Sequence, residues 1–397
     1  MNRSGLLKRA EKGVIYLGSK LSEELPLTVK LMQAFDVPTM QAAKVIQKNQ
    51  YAESDVPLVL VEAGKFLDKW CELLESCCLR YGEDYIDTLA FRILFAPSKK
   101  LAVMYGNCQM HDYYDCIMLS SDFCRDFEAV YFKYLEYPRW KEDRLELLLS
   151  LCSVFLYTKE GFDERFRNCI QYVRMHNPNC QTIKIPTYSY RGCFPQTNPH
   201  IQEKGYYDII AETFNSFHRE DLLVNRMIQE GKTEDDVVSE VLSGTCFSAE
   251  SILRENEIAL KQIELMDRAS DVSIGVYVRA NYQKIRLFKD PVHMENNLVW
   301  FVAEQLLKIM GYIQKTPMPI WTIHYFTELP IYPEVVNVLR LEWPEEDFRP
   351  DIRLAEGMIN TNTEEFFRRY YRFAGSAEMI RKCLQIQEDT DTIKERF

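Results

Sequence analysis

The sequence predicts an α/β fold, a mostly parallel sheet with flanking helices, extended by helical regions at both ends. Residues 101–105 form a short, unbroken apolar run that stops at Gly106, the pattern of a strand buried on both faces of a parallel sheet. Comparable runs recur downstream, separated by helix-length segments. With 397 residues, 47% of them hydrophobic, the chain has the material for more than one domain of ~150 residues.

Taken in order, residues 1–98 read as a helical region. Between Leu60 and Leu79 the apolar positions Ala63, Phe66, Leu67, Trp70, Leu73, Leu74 and Cys77 recur every three or four residues, and Gly82 supplies a stop. Residues 27–35 repeat that spacing up to Asp36-Val37-Pro38. The α/β domain is expected over residues 99–345, with strands at 101–105, 150–157, 182–185 and 272–278. Helices are expected from Cys108 onward and at 141–148, 206–217, 222–229, 233–242 and 248–266. A further amphipathic helix, 297–310, closes at Gly311. The remaining residues, 346–397, read as a helical extension built on 364–387, with aromatic residues at Phe366, Phe367, Tyr370, Tyr371 and Phe373.

Acidic residues outnumber basic ones by 59 to 48, a net charge of −11, which argues against non-specific nucleic-acid binding. A local basic pocket for a small anion stays open. Met1 to Leu21 has no apolar core of a secretory signal, and no stretch of ~18 apolar residues suggests a membrane span. The 12 cysteines are therefore read as reduced, in a cytoplasmic protein. No CxxC or HExxH spacing occurs, so no metal is expected.

Gly231-Lys232-Thr233 suggests a phosphate loop, but Arg226 stands where that motif requires glycine and the preceding segment looks helical. A glycine ending a helix is the better reading. Tyr105-Gly106-Asn107-Cys108-Gln109 is more informative. A strand running into a tight turn places the next residues at the carboxyl edge of the sheet, where open α/β sheets bind ligands. If a helix starts at Cys108, its thiol lies at the positive end of the helix, an arrangement that favours a thiolate nucleophile. Asn107, Gln109 and the local N–H groups are candidate oxyanion donors. A buried structural cysteine is the alternative.

Among six histidines, His293 stands out, because Asp290-Pro291-Val292-His293 places a carboxylate within reach of the ring. Arg279, Lys284, Arg286 and Lys289 precede it with no intervening acid, as an anion-binding wall or a solvated edge. The loop from Ile185 to Pro195, with Tyr188 and Tyr190, could stack on a ligand or form a packed turn.

Together, Gly106-Asn107-Cys108-Gln109, the Ile185-Pro186, Gly192 and Phe194-Pro195 loop, Asp267 and Asp271, and residues Asn281 to Phe288 with His293 resemble the WcbI-type acetyltransferases of polysaccharide biosynthesis. The resemblance spans roughly residues 100 to 340. It implies an SGNH- or Rossmann-like sheet and a coenzyme A-dependent acetyltransferase acting on a carbohydrate hydroxyl in capsular or surface polysaccharide synthesis. Cys108 takes the nucleophile's position, His293 the base's, and Asp290 orients it. Gly106, Asn107, Gln109 and Tyr190 line the oxyanion and substrate side, and Lys284, Arg286 and Lys289 meet coenzyme phosphates. Met294 stands where the family has proline. The implied partners are coenzyme A, a carbohydrate acceptor and other enzymes of polysaccharide synthesis. Two rivals stay open, an esterase or deacetylase using the same Cys-His pair and a non-catalytic partner of such enzymes.

Overall fold

The computed structural model describes residues 9, 14–17, 31–35, 58–63, 67–95, 98–133, 139–159, 164–197, 221–318, 328–354, 357–372 and 374. It divides into two units, Met1–Ile185 and Pro186–Phe397. Among the described residues no helix is long and apolar enough to cross a membrane.

The first unit holds two four-stranded sheets. One is built from β1 (Val14–Leu17), β2 (Leu31–Phe35), β3 (Leu58–Val61) and β4 (Tyr85–Asp87), in the order β2-β1-β3-β4 with every pair parallel. This corrects the expectation that residues 1–98 are helical: Leu31–Phe35, inside the expected helix 27–35, is a strand. The reason is length. Runs such as VIYL and LVLV are buried at every position, so they show no alternation, and four residues cannot separate a buried strand from a helix. The expected amphipathic helix survives as α1 (Leu67–Ser76), which buries Trp70, Cys71 and Leu74, followed by α2 (Thr88–Phe95).

The second sheet contains β5 (Lys100–Gly106), β6 (Phe127–Lys133), β7 (Val154–Lys159) and β8 (Gln181–Pro186), in the order β6-β5-β7-β8. β5 pairs in parallel with both β6 and β7. The connecting helices are α3 (Cys108–Met118), α4 (Ser121–Asp126), α5 (Arg139–Leu151) and α6 (Glu164–His176). α5 packs on α1, α2, α6 and β5 and so joins the two sheets. Its Arg144 donates to the fully buried Asp87 at the end of β4 (2.8 Å), and Tyr81 donates to the same carboxylate. Burial alone would raise the Asp87 carboxyl; the Arg144 guanidinium, with the hydrogen bonds from Tyr81 and the Ala90 N–H, outweighs it and holds the group below the ordinary range.

In the second unit the helices are α7 (Leu222–Gln229), α8 (Glu234–Leu242), α9 (Ala249–Asp267), α10 (Gly275–Asn281), α11 (Asn296–Ile309) and α12 (Pro333–Leu339). Gly231 has φ +81° and Thr233 caps α8 reciprocally with Asp236, so the Gly-Lys-Thr sequence is a helix-to-helix turn. The strand expected at 272–278 is instead a turn leading into α10. Asp267 accepts from the N–H groups of Ile274 (3.1 Å) and Gly275 (2.7 Å) and thereby starts a helix in a valine-rich segment. The C-terminal region is helical over 363–372, and it also carries an antiparallel hairpin of β9 (Asp351–Leu354) and β10 (Gly357–Asn360). The expected helix at 206–217 lies outside the described residues.

Asp221 caps α7 from a fully enclosed position, accepting from Val224 N (3.0 Å) and Tyr332 Oη (2.7 Å). Burial pushes its carboxyl up to about 6. An acid with a raised folded-state pKa favours the fold at low pH and loses that contribution as pH rises towards the folded value. Stability should therefore fall by roughly 3 kcal/mol between about pH 4 and pH 6 on account of this group. In Asp221→Asn, denaturant titrations across that range should show this component of the slope gone.

Candidate active site

β5 and β7 are neighbours in the sheet, and the chain leaves them in opposite directions, from β5 to β6 on one side and from β7 to β8 on the other. That is the topological switch point of the sheet, where the carboxyl ends of the strands open a crevice. The Gly106 turn lies there. Asn107 is the N-cap of α3 (φ −83°, ψ −163°), its side-chain oxygen accepting from Met110 N at 3.4 Å, and the part-exposed Cys108 is the first residue of the helix. The α3 macrodipole and its first-turn N–H groups thus bear on the Cys108 thiol.

Glycine is required at 106 by close approach. A Cβ there would lie 2.5 Å from Thr158 Oγ1 and 2.7 Å from Met110 Cβ. Gly106→Ala should cost about 1–3 kcal/mol by overpacking, which thermal unfolding would register. Two residues missed by the sequence reading frame this turn. Tyr131 on β6 donates its hydroxyl to Asn107 O (2.8 Å) and Gly106 O (3.3 Å). Thr158 on β7 is buried beside Gly106, and its hydroxyl has no hydrogen-bond partner among the described residues. Gln109 is buried, and Asn107 is committed to capping through its side-chain oxygen.

In the second unit, His293 lies on a short hairpin that is closed by the Phe288–Met294 bridge and by Glu295 N to Leu287 O (2.9 Å). Asp290 is fully buried. One of its oxygens accepts from the N–H groups of Val292 (2.8 Å) and His293 (2.9 Å), and the other meets His293 Nδ1 at 2.6 Å. A carboxylate so placed holds the proton on Nδ1 and leaves Nε2 as the basic nitrogen. The sequence spacing is thus an orienting pair in space.

The basic wall resolves differently. Arg286 is buried and all five of its N–H groups meet acceptors: Phe288 O (3.2 Å), Glu328 Oε2 (2.9 Å), Asp347 O (2.9 Å), Lys289 O (3.1 Å) and Leu329 O (3.0 Å). None is left for a phosphate, so the expected coenzyme contact at Arg286 is corrected to a staple of the His293 hairpin. Lys289 is buried too, with Nζ 3.8 Å from Glu328 and 3.9 Å from Glu295. Arg279 pairs with Glu264 (2.7 Å) and Glu257 (3.2 Å) on α9. Lys284 alone of the three expected contacts is exposed.

Tyr190 is corrected as well. Its ring is buried and its hydroxyl donates to Asn256 Oδ1 at 2.5 Å, while Tyr188 donates to Asp267 (2.8 Å). A Cβ at Gly192 would lie 2.4 Å from Asn256 Oδ1, so this loop is a packed turn and not a stacking surface.

A family model described as polysaccharide biosynthesis enzyme WcbI matches residues 101–315, more than half of the chain. The chain belongs to the WcbI family. The match runs from β5 through the end of α11 and includes both the Cys108 turn and the Asp290–His293 hairpin. It places the chain among enzymes of polysaccharide biosynthesis. A solved structure of WcbI, described as the native protein without a disulfide bond between coenzyme A and one of its cysteines, aligns with a TM-score of 0.55 at 14% identity. The alignment covers 70% of this chain and 90% of that one, and it shows the same α/β fold. No curated protein matches the chain.

Proposed function

We propose that this WcbI-family chain transfers an acetyl group from acetyl-coenzyme A to a carbohydrate hydroxyl in capsular or surface polysaccharide synthesis. The observation that carries the reading is Cys108 as first residue of α3, one step past the Gly106 turn at the switch point of the sheet. The solved WcbI structure is described as the native protein without a disulfide bond between coenzyme A and one of its cysteines. Cys108 is the matching candidate here.

Cys108 attacks the thioester carbonyl, its sulfur forming the new C–S bond as the coenzyme sulfur departs and takes up a proton. His293 then removes the proton from the sugar hydroxyl, whose oxygen displaces Cys108. In the direct version His293 performs the deprotonation and Cys108 lines the pocket. Asp290 holds the ring in the required tautomer in either case. First-turn N–H groups of α3 and the hydroxyl of Thr158 are the donor set for the developing oxyanion. Lys284 is the phosphate contact that remains.

Calorimetric titration of the protein with coenzyme A at two ionic strengths tests the reading, with affinity expected to weaken as salt rises. Lys284→Ala should reduce binding by about 1–3 kcal/mol. No heat and no thermal shift at millimolar coenzyme A would remove the transferase reading. Coenzyme A carried through purification would argue against the hydrolase alternative.

A further inference from the structure

Cys152 and Cys180 lie on the sheet edge opposite the candidate active site. Cys152 lies two residues before the start of β7, and Cys180 immediately before the start of β8. Gln181 N donates to Ser153 O at 3.0 Å, so the two chain segments are already neighbours where the cysteines sit. Adjacent strands run about 4.8 Å apart, inside the ~4.4–6.8 Å window of Cα separations that a disulfide spans. The two sulfurs are 3.4 Å from each other, 28 residues apart in sequence. Asn177 fixes the turn between them through its amide, which donates to Cys152 O (2.7 Å) and Leu149 O (3.0 Å). Cys152 is buried and Cys180 is part-exposed. That asymmetry suits a pair in which one thiol meets the oxidant and the other closes the bond.

We propose that Cys152 and Cys180 form a reversible dithiol–disulfide site, independent of the Cys108 chemistry. Cys180 attacks a small-molecule disulfide of the glutathione type and releases one thiolate. Cys152 then gives its proton to solvent and attacks the Cys180 sulfur, which releases the second thiolate. One S–S bond is consumed and one is made, and two electrons pass from the protein pair to the oxidant. The hydrogen bond from Cys152 draws the Cys180 thiol down, against a smaller effect of burial, which favours Cys180 as the attacking group. Closure ties together the amino ends of β7 and β8, two strands of the same sheet whose β5 ends at Gly106. In a reducing compartment the pair stays open and closes on oxidation.

The full-length reduced protein should be exposed to a graded ratio of oxidised to reduced glutathione and mapped by non-reducing peptide mass spectrometry. A Cys152–Cys180 cross-linked peptide is expected at lower oxidant than any other protein disulfide, with the far-ultraviolet circular dichroism unchanged. Cys152→Ser should trap glutathione on Cys180, and Cys180→Ser should leave Cys152 unmodified. Stable glutathione on Cys180 in the wild-type protein, or modification of the exposed Cys78 with neither Cys152 nor Cys180 touched, would overturn the proposal.

Discussion

Arg286→Ala is expected to destabilise the second unit by about 3–5 kcal/mol, because it leaves the buried Glu328 carboxylate without its guanidinium partner and frees four carbonyl acceptors. Arg286→Lys should rescue little. An ammonium offers three donors from one point, whereas the five acceptors surround a planar fork. Urea titration reads the global effect. Hydrogen exchange over residues 287–295 reads the local one, since Arg286 ties Phe288 and Lys289 on one limb of the His293 hairpin to Glu328, Leu329 and Asp347. A variant as stable as the wild type but weaker for coenzyme A would return Arg286 to the phosphate role.

That contrast shows what the sequence could and could not reveal. The Cys108 turn was legible because its determinants are local: an apolar strand, a glycine, an asparagine cap and then a helix. The Asp290–His293 pair was legible for the same reason, its contact spanning three residues. Arg286 was not, because its counter-charge arrives from 42 residues downstream. A basic run without local acids looks like a ligand wall until the fold delivers the acids. Tyr190 misled in the same way, its partner Asn256 lying 66 residues on. Tyr131 went unseen because β6, with the sequence FEAVYFK and a mixed burial pattern, carries neither clean alternation nor a continuous apolar run, and Thr158 because the strand expected at 150–157 stops one residue short of it. Thr158 has a usable signal in retrospect: a polar residue at the carboxyl end of a buried strand flanking the glycine turn.

Limited alkylation at about pH 6.5, well below the free-thiol value, should sort the cysteines by these same structural features. Burial pushes Cys193 up to about 12, with Tyr190 and Arg286 only partly opposing it, and Cys71 and Cys116 are driven higher still by burial. Against an accessible thiol of ordinary acidity, a thiol near 12 has about 3000-fold less thiolate. Its more basic sulfur recovers some of that, leaving a deficit of about a hundredfold before access is counted. The early labels should therefore fall on Cys78, Cys108 and Cys180, which are exposed or part-exposed, and not on the part-exposed Cys124 and Cys246, whose thiols burial pushes up. Cys78 and Cys108 form an internal comparison. Cys78 lies just beyond the carboxyl end of α1, where the helix dipole disfavours negative charge, and Cys108 opens α3, where it favours it. At about 0.3–1 kcal/mol for each terminus, Cys108 should react several-fold faster than Cys78. Coenzyme A should then suppress labelling at Cys108 while leaving Cys78 and Cys180 unchanged. If Cys108 reacts no faster than Cys78 and coenzyme A gives it no protection, the thiolate mechanism fails, and His293 acting directly on the sugar hydroxyl becomes the preferred chemistry.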